Sequence, residues 1–443
     1  MRKYDKYKSS GIDWIGEIPK DWNIKRLKEI ANVETGNTPS TSNPNFYSEE
    51  GMPWIKPDNL NDFIELTDSA EKLSENGIQE ARVVRKGAVL VCCIGTIGKI
   101  GIAGCDLATN QQINSVEFYN KRILDNYGKY LLYISEAELV KQSNKVVVSI
   151  LNKIKQSQIK FPIPSIEEQL SIANYLDYQT QKIDCLIANK KGQAEKLKEL
   201  RQIEINNAVT KGLNPNAEMK DSGINWLGEI PKHWAVKRLK NVADINSTKQ
   251  EVKFDDVKDL EVVFLPMENV SENGAIDNSD KRKASEIWEG FTYFKKNDVI
   301  IAKITPCFEN GKGAWLSSLE SEFGFGSTEF HTVRGHKNRL DNHYFYHVTK
   351  SDVFMKIGEA FMTGSAGQKR VSTNFVLTFK LAFPPIDEQI QIAKFLQERT
   401  TAIDKLISNI DAQIEKLLEL RKIKIYEAVT GKIKVNAYVE ATA

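Results

Sequence analysis

The sequence is poor in the groups from which catalytic and metal centres are usually built. Its 443 residues hold only five histidines and five cysteines, Cys92, Cys93, Cys105, Cys185 and Cys307. The cysteines are odd in number and show no Cys-x-x-Cys spacing. That excludes a disulfide framework or zinc ribbon and reads as reduced, mostly buried thiols of a cytoplasmic protein. No stretch approaches the roughly 18 apolar residues of a membrane helix, so no membrane is implied. The opening "MRKYDKYKSSG" is charged but has no apolar run behind it, unlike a signal peptide. Net charge is also small: 61 Lys and Arg against 59 Asp and Glu leave +2. Any nucleic-acid contact must therefore come from local clusters that the total hides.

Catalytic motifs fail one by one. "NPNF" (residues 43–46) resembles the Asn-Pro-Pro-Phe loop of amino-methyltransferases, but Asn45 stands where the second proline belongs. "FGFG" (323–326) has no acidic residue following on a later strand to hold a ribose, and "GTIGK" (95–99) lacks the spacing and hydroxyl of a phosphate loop. Glu251 and Lys253 have the E-x-K form of a nuclease without a well-placed Pro-Asp before them. His343 and His347 share a helix face as two metal ligands would, but Tyr344 follows His343 where a zinc protease has Glu, and no third ligand is evident. No catalytic residue and no metal ligand is assigned.

What the chain does have is repetition. "SGIDWIGEIPKDWNIKRLKEIA" (10–31) returns as "SGINWLGEIPKHWAVKRLKNVA" (222–243), with 15 of 22 positions identical. A second pair, 164–212 and 384–432, shares Glu-Gln, Ile-Asp, Glu-Leu-Arg and Ala-Val-Thr in the same order. The period is far longer than that of a solenoid, about 20–50 residues, so whole domains are duplicated. The order is V1 (1–163), H1 (164–212), V2 (213–383), H2 (384–443).

Both H segments start after proline and contain none within, which predicts long helices. In H2, Ile403, Ile407, Ile410, Ile414 and Leu417 alternate spacings of four and three, a heptad seam. Ile183, Ile187, Lys190, Ala194 and Leu197 form a poorer copy in H1. About 45 helical residues span roughly 65 Å. Connectivity makes the pair an antiparallel coiled coil, with V1 and V2 at opposite ends about an approximate twofold axis. The V segments read as mixed α/β (α+β) domains, with strands in 87–95, 260–265 and 298–304 and helices in 126–143 and 341–360. V1 and V2 begin alike and then diverge, which suggests one mechanical job done twice on two targets.

The V–H–V–H order, the "EIPKDW" and "EIPKHW" openings followed by Arg-Leu, and the shared H motifs resemble the DNA-specificity subunit of type I restriction-modification systems. The resemblance covers nearly the whole chain. It implies that each V is a target recognition domain reading half of a bipartite, asymmetric sequence in double-stranded DNA, with the paired helices setting the spacing. It implies no cofactor in this chain. S-adenosylmethionine belongs to two methyltransferase subunits that dock on it and methylate adenines, and ATP and Mg to two restriction subunits that complete the nuclease. A duplicated chain also escapes the palindromes that symmetric dimers read.

The family's motifs match at "GNTPS" (36–40), "WIKPDNL" (54–60) and "TNQQI" (109–113) in V1, and at "GSTEF" (326–330) and "GQKRV" (367–371) in V2. With Lys145 and Lys303 beside them, the candidates for DNA contact are Thr38, Lys56, Asn110, Gln111, Gln112 and Lys145 in V1, and Lys303, Ser327, Glu329, Gln368, Lys369 and Arg370 in V2. Gln and Asn pair adenine edges, Arg guanine, Glu cytosine N4, and Lys phosphates. Gln112 or Glu329 serve equally well to hold their own loops together. The counterpart of "GQKRV" in V1 is "NKVVVSIL" (144–151), which lacks the Gln and Arg. Two copies of one partner require a repeated surface. Trp22, Arg26, Trp234 and Arg238 in the openings, with Arg201 and Arg421 towards the helix ends, are the candidates for it. The two tryptophans also suit an anchoring role. Trp54 and Trp315 read as core. The rival reading is a non-enzymatic coiled-coil adaptor whose V domains bind proteins.

Overall fold

The computed structural model describes residues 2–145, 148–365 and 367–435. The chain forms two compact units, Met1–Lys190 with Ala412–Ala443, and Lys191–Asp411. The long helices Ile166–Lys211 and Ile386–Val429 each contribute one half to each unit. Gly192 does not break the first, where a single glycine costs only about 1 kcal/mol.

In the first unit the strand Ala31–Thr35 opens a sheet that continues through Ile113–Phe118, Val89–Cys92, Ile100–Ala103 and Glu65–Leu66. A second sheet is built around the parallel pair Met52–Ile55 and Leu107–Thr109. The second unit repeats this plan without repeating the sequence. Its first sheet runs Ala243–Ile245, Phe330–Gly335, Val299–Ala302, Gly313–Trp315, and its second centres on the parallel pair Glu261–Leu265 and Phe323–Gly326. Val89–Cys92 and Val299–Ala302 are buried at every residue, as continuous apolar runs require. The helical stretches 126–143 and 341–360 each form two helices, the breaks falling at Ser135 and at Lys350–Ser351.

Each unit clamps its V domain between the start of one helix and the end of the other. In the first unit Ile172, Ala173 and Leu176 share a core with Ile425, Ala428 and Val429. In the second, Ile392, Ala393 and Leu396 share one with Ile205, Ala208 and Val209. The halves run antiparallel: Arg421 meets Asp184 in the first unit, and in the second Arg201 meets Asp404 and Arg399 meets Glu204. Along the seam Ile183, Ile187, Ala194, Ile403, Ile410 and Ile414 are buried, while Lys190, Leu197, Ile407 and Leu417 are half-buried. Of the cysteines, Cys92 and Cys93 are buried, Cys105 and Cys307 intermediate, and Cys185 exposed on a helix, so "mostly buried" holds for only part of the set.

Candidate nucleic-acid interface

In the second unit the polypeptide leaves the strand Phe323–Gly326, turns through Ser327–Glu329 and returns as Phe330–Gly335. The Glu329 N–H donates to Ser327 Oγ at 3.2 Å and closes the turn. Beside it, Lys303 N–H donates to the Glu329 carbonyl at 2.9 Å. Arg370 pairs with Thr363, and the run 369–371 docks on the same strand end: Val371 N–H reaches the Lys303 carbonyl at 2.8 Å, and Thr305 N–H the Lys369 carbonyl at 3.0 Å. These backbone bonds gather Lys303, Ser327, Glu329, Lys369 and Arg370 from three separate segments.

Arg370 is held by Glu329. Its Nε lies 3.0 and 3.1 Å from the two carboxylate oxygens and its Nη2 2.9 Å from one of them, while Nη1 donates to the Gln368 carbonyl at 3.2 Å. The hydrogen bonds from Arg370 hold the Glu329 carboxyl below the usual carboxylate range. The guanidinium plane is fixed, and its remaining Nη hydrogens are free for an outside acceptor. Gln368 and Lys369 are exposed next to it. Lys303 also lines a cleft of about 320 Å³ with Asn246, Thr248, Lys249 and Phe291.

The first unit builds the same frame from other residues. Gln112 N–H donates to Asn110 Oδ1 at 3.1 Å, as Glu329 does to Ser327. Cys93 N–H reaches the Gln112 carbonyl at 2.8 Å, Leu151 N–H the Cys93 carbonyl at 2.8 Å, and Gly95 N–H the Ser149 carbonyl at 3.0 Å. The match is therefore Asn110 with Ser327, Gln112 with Glu329, Cys93 with Lys303, Ser149 with Lys369, and Ile150 with Arg370. Val148 and Ile150 are both about half exposed (49% and 46%), so an apolar surface stands where the second unit carries charge. The sequence sets the stretch 144–151 opposite "GQKRV" but singles out Lys145 within it; the backbone pairing picks Ser149 and Ile150.

Several expectations for the first unit change. Asn110 is 5% exposed, and its amide donates to Gln112 Oε1 at 2.9 Å, so it shapes the loop and has no free edge for a base. Thr38 and the exposed Gln111 are hydrogen-bonded to each other. Gly36 permits this approach, because a Cβ there would meet the Thr109 carbonyl at 2.3 Å. Lys56 is paired with Glu71 and lies 4.8 Å above the Trp54 ring, so its charge is largely met. The Lys145 side chain lies outside the described residues. Trp54 is core, at 4% exposure. Trp315 is only half-buried and stacks on His343 at 4.1 Å.

Three residues assigned to a partner surface belong inside the fold. Trp22 and Trp234 are each 1% exposed. The Trp22 ring packs against Tyr4, and Trp234 Nε1 donates to Glu388 Oε1 at 3.1 Å, so both are anchors. Arg421 is 6% exposed, with its guanidinium 4.7 Å above the Phe63 ring and paired with Asp184 at 3.0 Å. Arg201 is half-buried on Asp404. Arg26 and Arg238 remain exposed.

The repeated Glu-Gln motif also has a structural task. Gln169 is 1% exposed; its Oε1 accepts from Leu124 N–H at 3.0 Å and its Nε2 donates to the Arg122 carbonyl at 2.9 Å. Gln389 makes the matching bonds to Asp341 N–H at 2.8 Å and the Arg339 carbonyl at 3.1 Å. Each glutamine ties a long helix to the loop that opens its V domain's helix pair.

The model of the type I restriction modification DNA specificity domain matches residues 19–198 and 231–416. The EcoAI specificity subunit of Escherichia coli is 36% identical over 218 residues, 48% of this chain. The match spans only 35% of that subunit's length. The MjaVIII specificity subunit of Methanocaldococcus jannaschii is 24% identical across 95% of this chain and 94% of its own. Among solved structures, a chain from work on complex assembly and conformational transition of the type I R-M system superposes with a TM-score of 0.69 at 13% identity, covering 94% of this chain and 99% of that chain.

Proposed function

Because the chain belongs to the type I restriction-modification DNA-specificity family, we propose that it is the sequence-reading subunit of such a system. It binds double-stranded DNA through both V domains and reads an asymmetric, bipartite target. It holds two methyltransferase subunits, which carry S-adenosylmethionine and methylate adenine; in a complete nuclease, ATP and Mg belong to two restriction subunits. The chain supplies recognition and no catalytic group.

The observation that carries this reading is the pair of matched loop clusters. Two domains of one topology place different side chains at the same backbone positions: Lys303, Glu329 and Arg370 in one, the buried Cys93 with Gln112 and the half-exposed Ile150 in the other. One frame with two faces is what reading two different half-sites requires. Arg370 is the guanine reader, since an arginine fork fits guanine O6 and N7. Gln111 and Thr38 serve the other half-site. The test is selection from a random duplex library by the chain bound to its methyltransferase subunit. Enrichment of a gapped sequence with two unlike halves supports the reading. Loss of all sequence preference, with protein partners still bound, supports an adaptor instead.

A further inference from the structure

Each unit carries a two-stranded antiparallel ribbon that runs straight into a long helix. One joins Asn23–Arg26 to Lys160–Ile163, the other Ala235–Arg238 to Lys380–Phe383. In both, the register sets two cations directly opposite each other: Arg26 faces Lys160, and Arg238 faces Lys380. All four residues are exposed. Like charges directly opposite weaken an antiparallel pair. Glu29 relieves Arg26 at 3.3 Å, but Asn241 stands at the matching place in the second copy. Among the described residues, Lys160, Arg238 and Lys380 have no carboxylate partner. A repulsive pair kept at the same register in both copies, while the loops of the reading face diverge, points to an anionic ligand common to both units.

A cleft lies beside each pair. In the first unit it measures about 390 Å³, with Trp14, Lys141, Lys155 and Lys160 among its walls. In the second it measures about 240 Å³, with Trp226 and Lys380 among its walls together with Phe361 and Phe375. Trp14 and Trp226 are the same position of the repeated opening. Phe361 is 62% exposed and stacks on Phe375 at 5.9 Å between ring centres.

We propose that these two clefts are the docking points for the two methyltransferase subunits, each taking a protein segment with an apolar side chain flanked by carboxylates. The inference rests on the function proposed above. A protein fits better than DNA. The second cleft exposes aromatic rings, which suit an apolar anchor and gain nothing from hydrated phosphates; an aromatic centre with a cationic edge is the make-up of a protein interface. The shared part, the tryptophan and the cation pair, is what one partner present twice would grip.

Reversing one charge per ribbon separates this role from a structural one. Lys160→Glu and Lys380→Glu each turn a repulsive pair into an attractive one, so both variants should melt at or above the temperature of the unmodified chain. Bound methyltransferase subunits per full chain are counted by native mass spectrometry across a titration. Each single variant should lose one of two subunits, with affinity at that site falling about tenfold or more because like charges then meet across the interface. The double variant should lose both. Two subunits held at unchanged affinity would overturn the proposal while leaving the specificity function intact. So would unchanged stoichiometry with weakened DNA binding, which would make the ribbons phosphate contacts. If the unmodified chain holds no methyltransferase subunit, the proposed function fails and this inference falls with it.

Discussion

Arg421 Nε lies 3.0 Å from Asp184 Oδ1, and Arg201 Nε lies 2.9 Å from Asp404 Oδ1. The arginine of each Glu-Leu-Arg motif thus meets the aspartate of the other helix's Ile-Asp motif, one pair in each unit. The two motifs recur because antiparallel helices need both partners on both strands. Neither Nε–H points at its carboxylate closely enough to count as a bond; Arg421 donates instead from Nη2 to Asp184 Oδ2 at 3.3 Å. Arg421→Ala is expected to destabilise the first unit by about 2–3 kcal/mol, below the roughly 3–5 kcal/mol for breaking a fully buried pair, because half-exposed Asp184 can rehydrate. Arg421→Lys should recover little, as an ammonium cannot lie flat over Phe63 and also face Asp184. Thermal unfolding of the variants checks both.

Replacing Gln169 or Gln389 by leucine takes the side-chain partner from a half-buried loop N–H and a neighbouring carbonyl in one unit. The expected loss is about 1–3 kcal/mol. Amide exchange should quicken around Leu124 for Gln169→Leu and around Asp341 for Gln389→Leu, each variant leaving the other unit unchanged. Equal acceleration in both units would contradict the assignment.

Arg370→Ala should relax one base position in the half-site read by the second unit and cost about 1–3 kcal/mol of discrimination there. Glu329→Gln removes the carboxylate that orients the guanidinium, so it should broaden that position without abolishing binding. Neither variant should alter the other half-site. Competition binding with single-base changes across the target measures all three.

All five histidines lie between residues 233 and 347, within the second unit. Burial pushes the His347 imidazole down to about 3, with His343, Arg201 and Lys350 adding positive charge around it. Burial lowers His331 and His343 as well. The unfolded chain therefore binds more protons than the folded one between the two pKa values. Stability present above the unfolded value, near 6.5, is lost as pH falls towards 3, at about 1.4 kcal/mol per pH unit for His347 alone. Hydrogen exchange at pH 7 and pH 5 should show the second unit losing roughly 2 kcal/mol of protection from this group. His347→Phe should lessen that loss, and the first unit should not show a histidine-dependent change.

The sequence revealed the frame well and the reading face poorly, for a physical reason. Helix seams and ion pairs are side-chain contacts, so they constrain residue type: Ile403, Ile410 and Ile414 announce themselves by spacing and are buried. Repetition also marked Trp22 and Trp234, but it could not say whether a partner or the domain's own core imposed them; burial decides for the core. The reading loops are held by backbone bonds, such as Leu151 N–H to the Cys93 carbonyl and Val371 N–H to the Lys303 carbonyl. Such bonds leave side chains free to differ, so Ile150 and Arg370 share a place in the fold with no trace of it in their identities.

The central claim is that one chain reads two unlike half-sites for a methyltransferase. Modified-base sequencing of the native host genome, with this gene intact and deleted, tests it most directly. The account predicts an adenine-methylated, gapped, asymmetric motif that disappears on deletion. An unchanged methylome in a host whose methyltransferase subunit is present and active would contradict it.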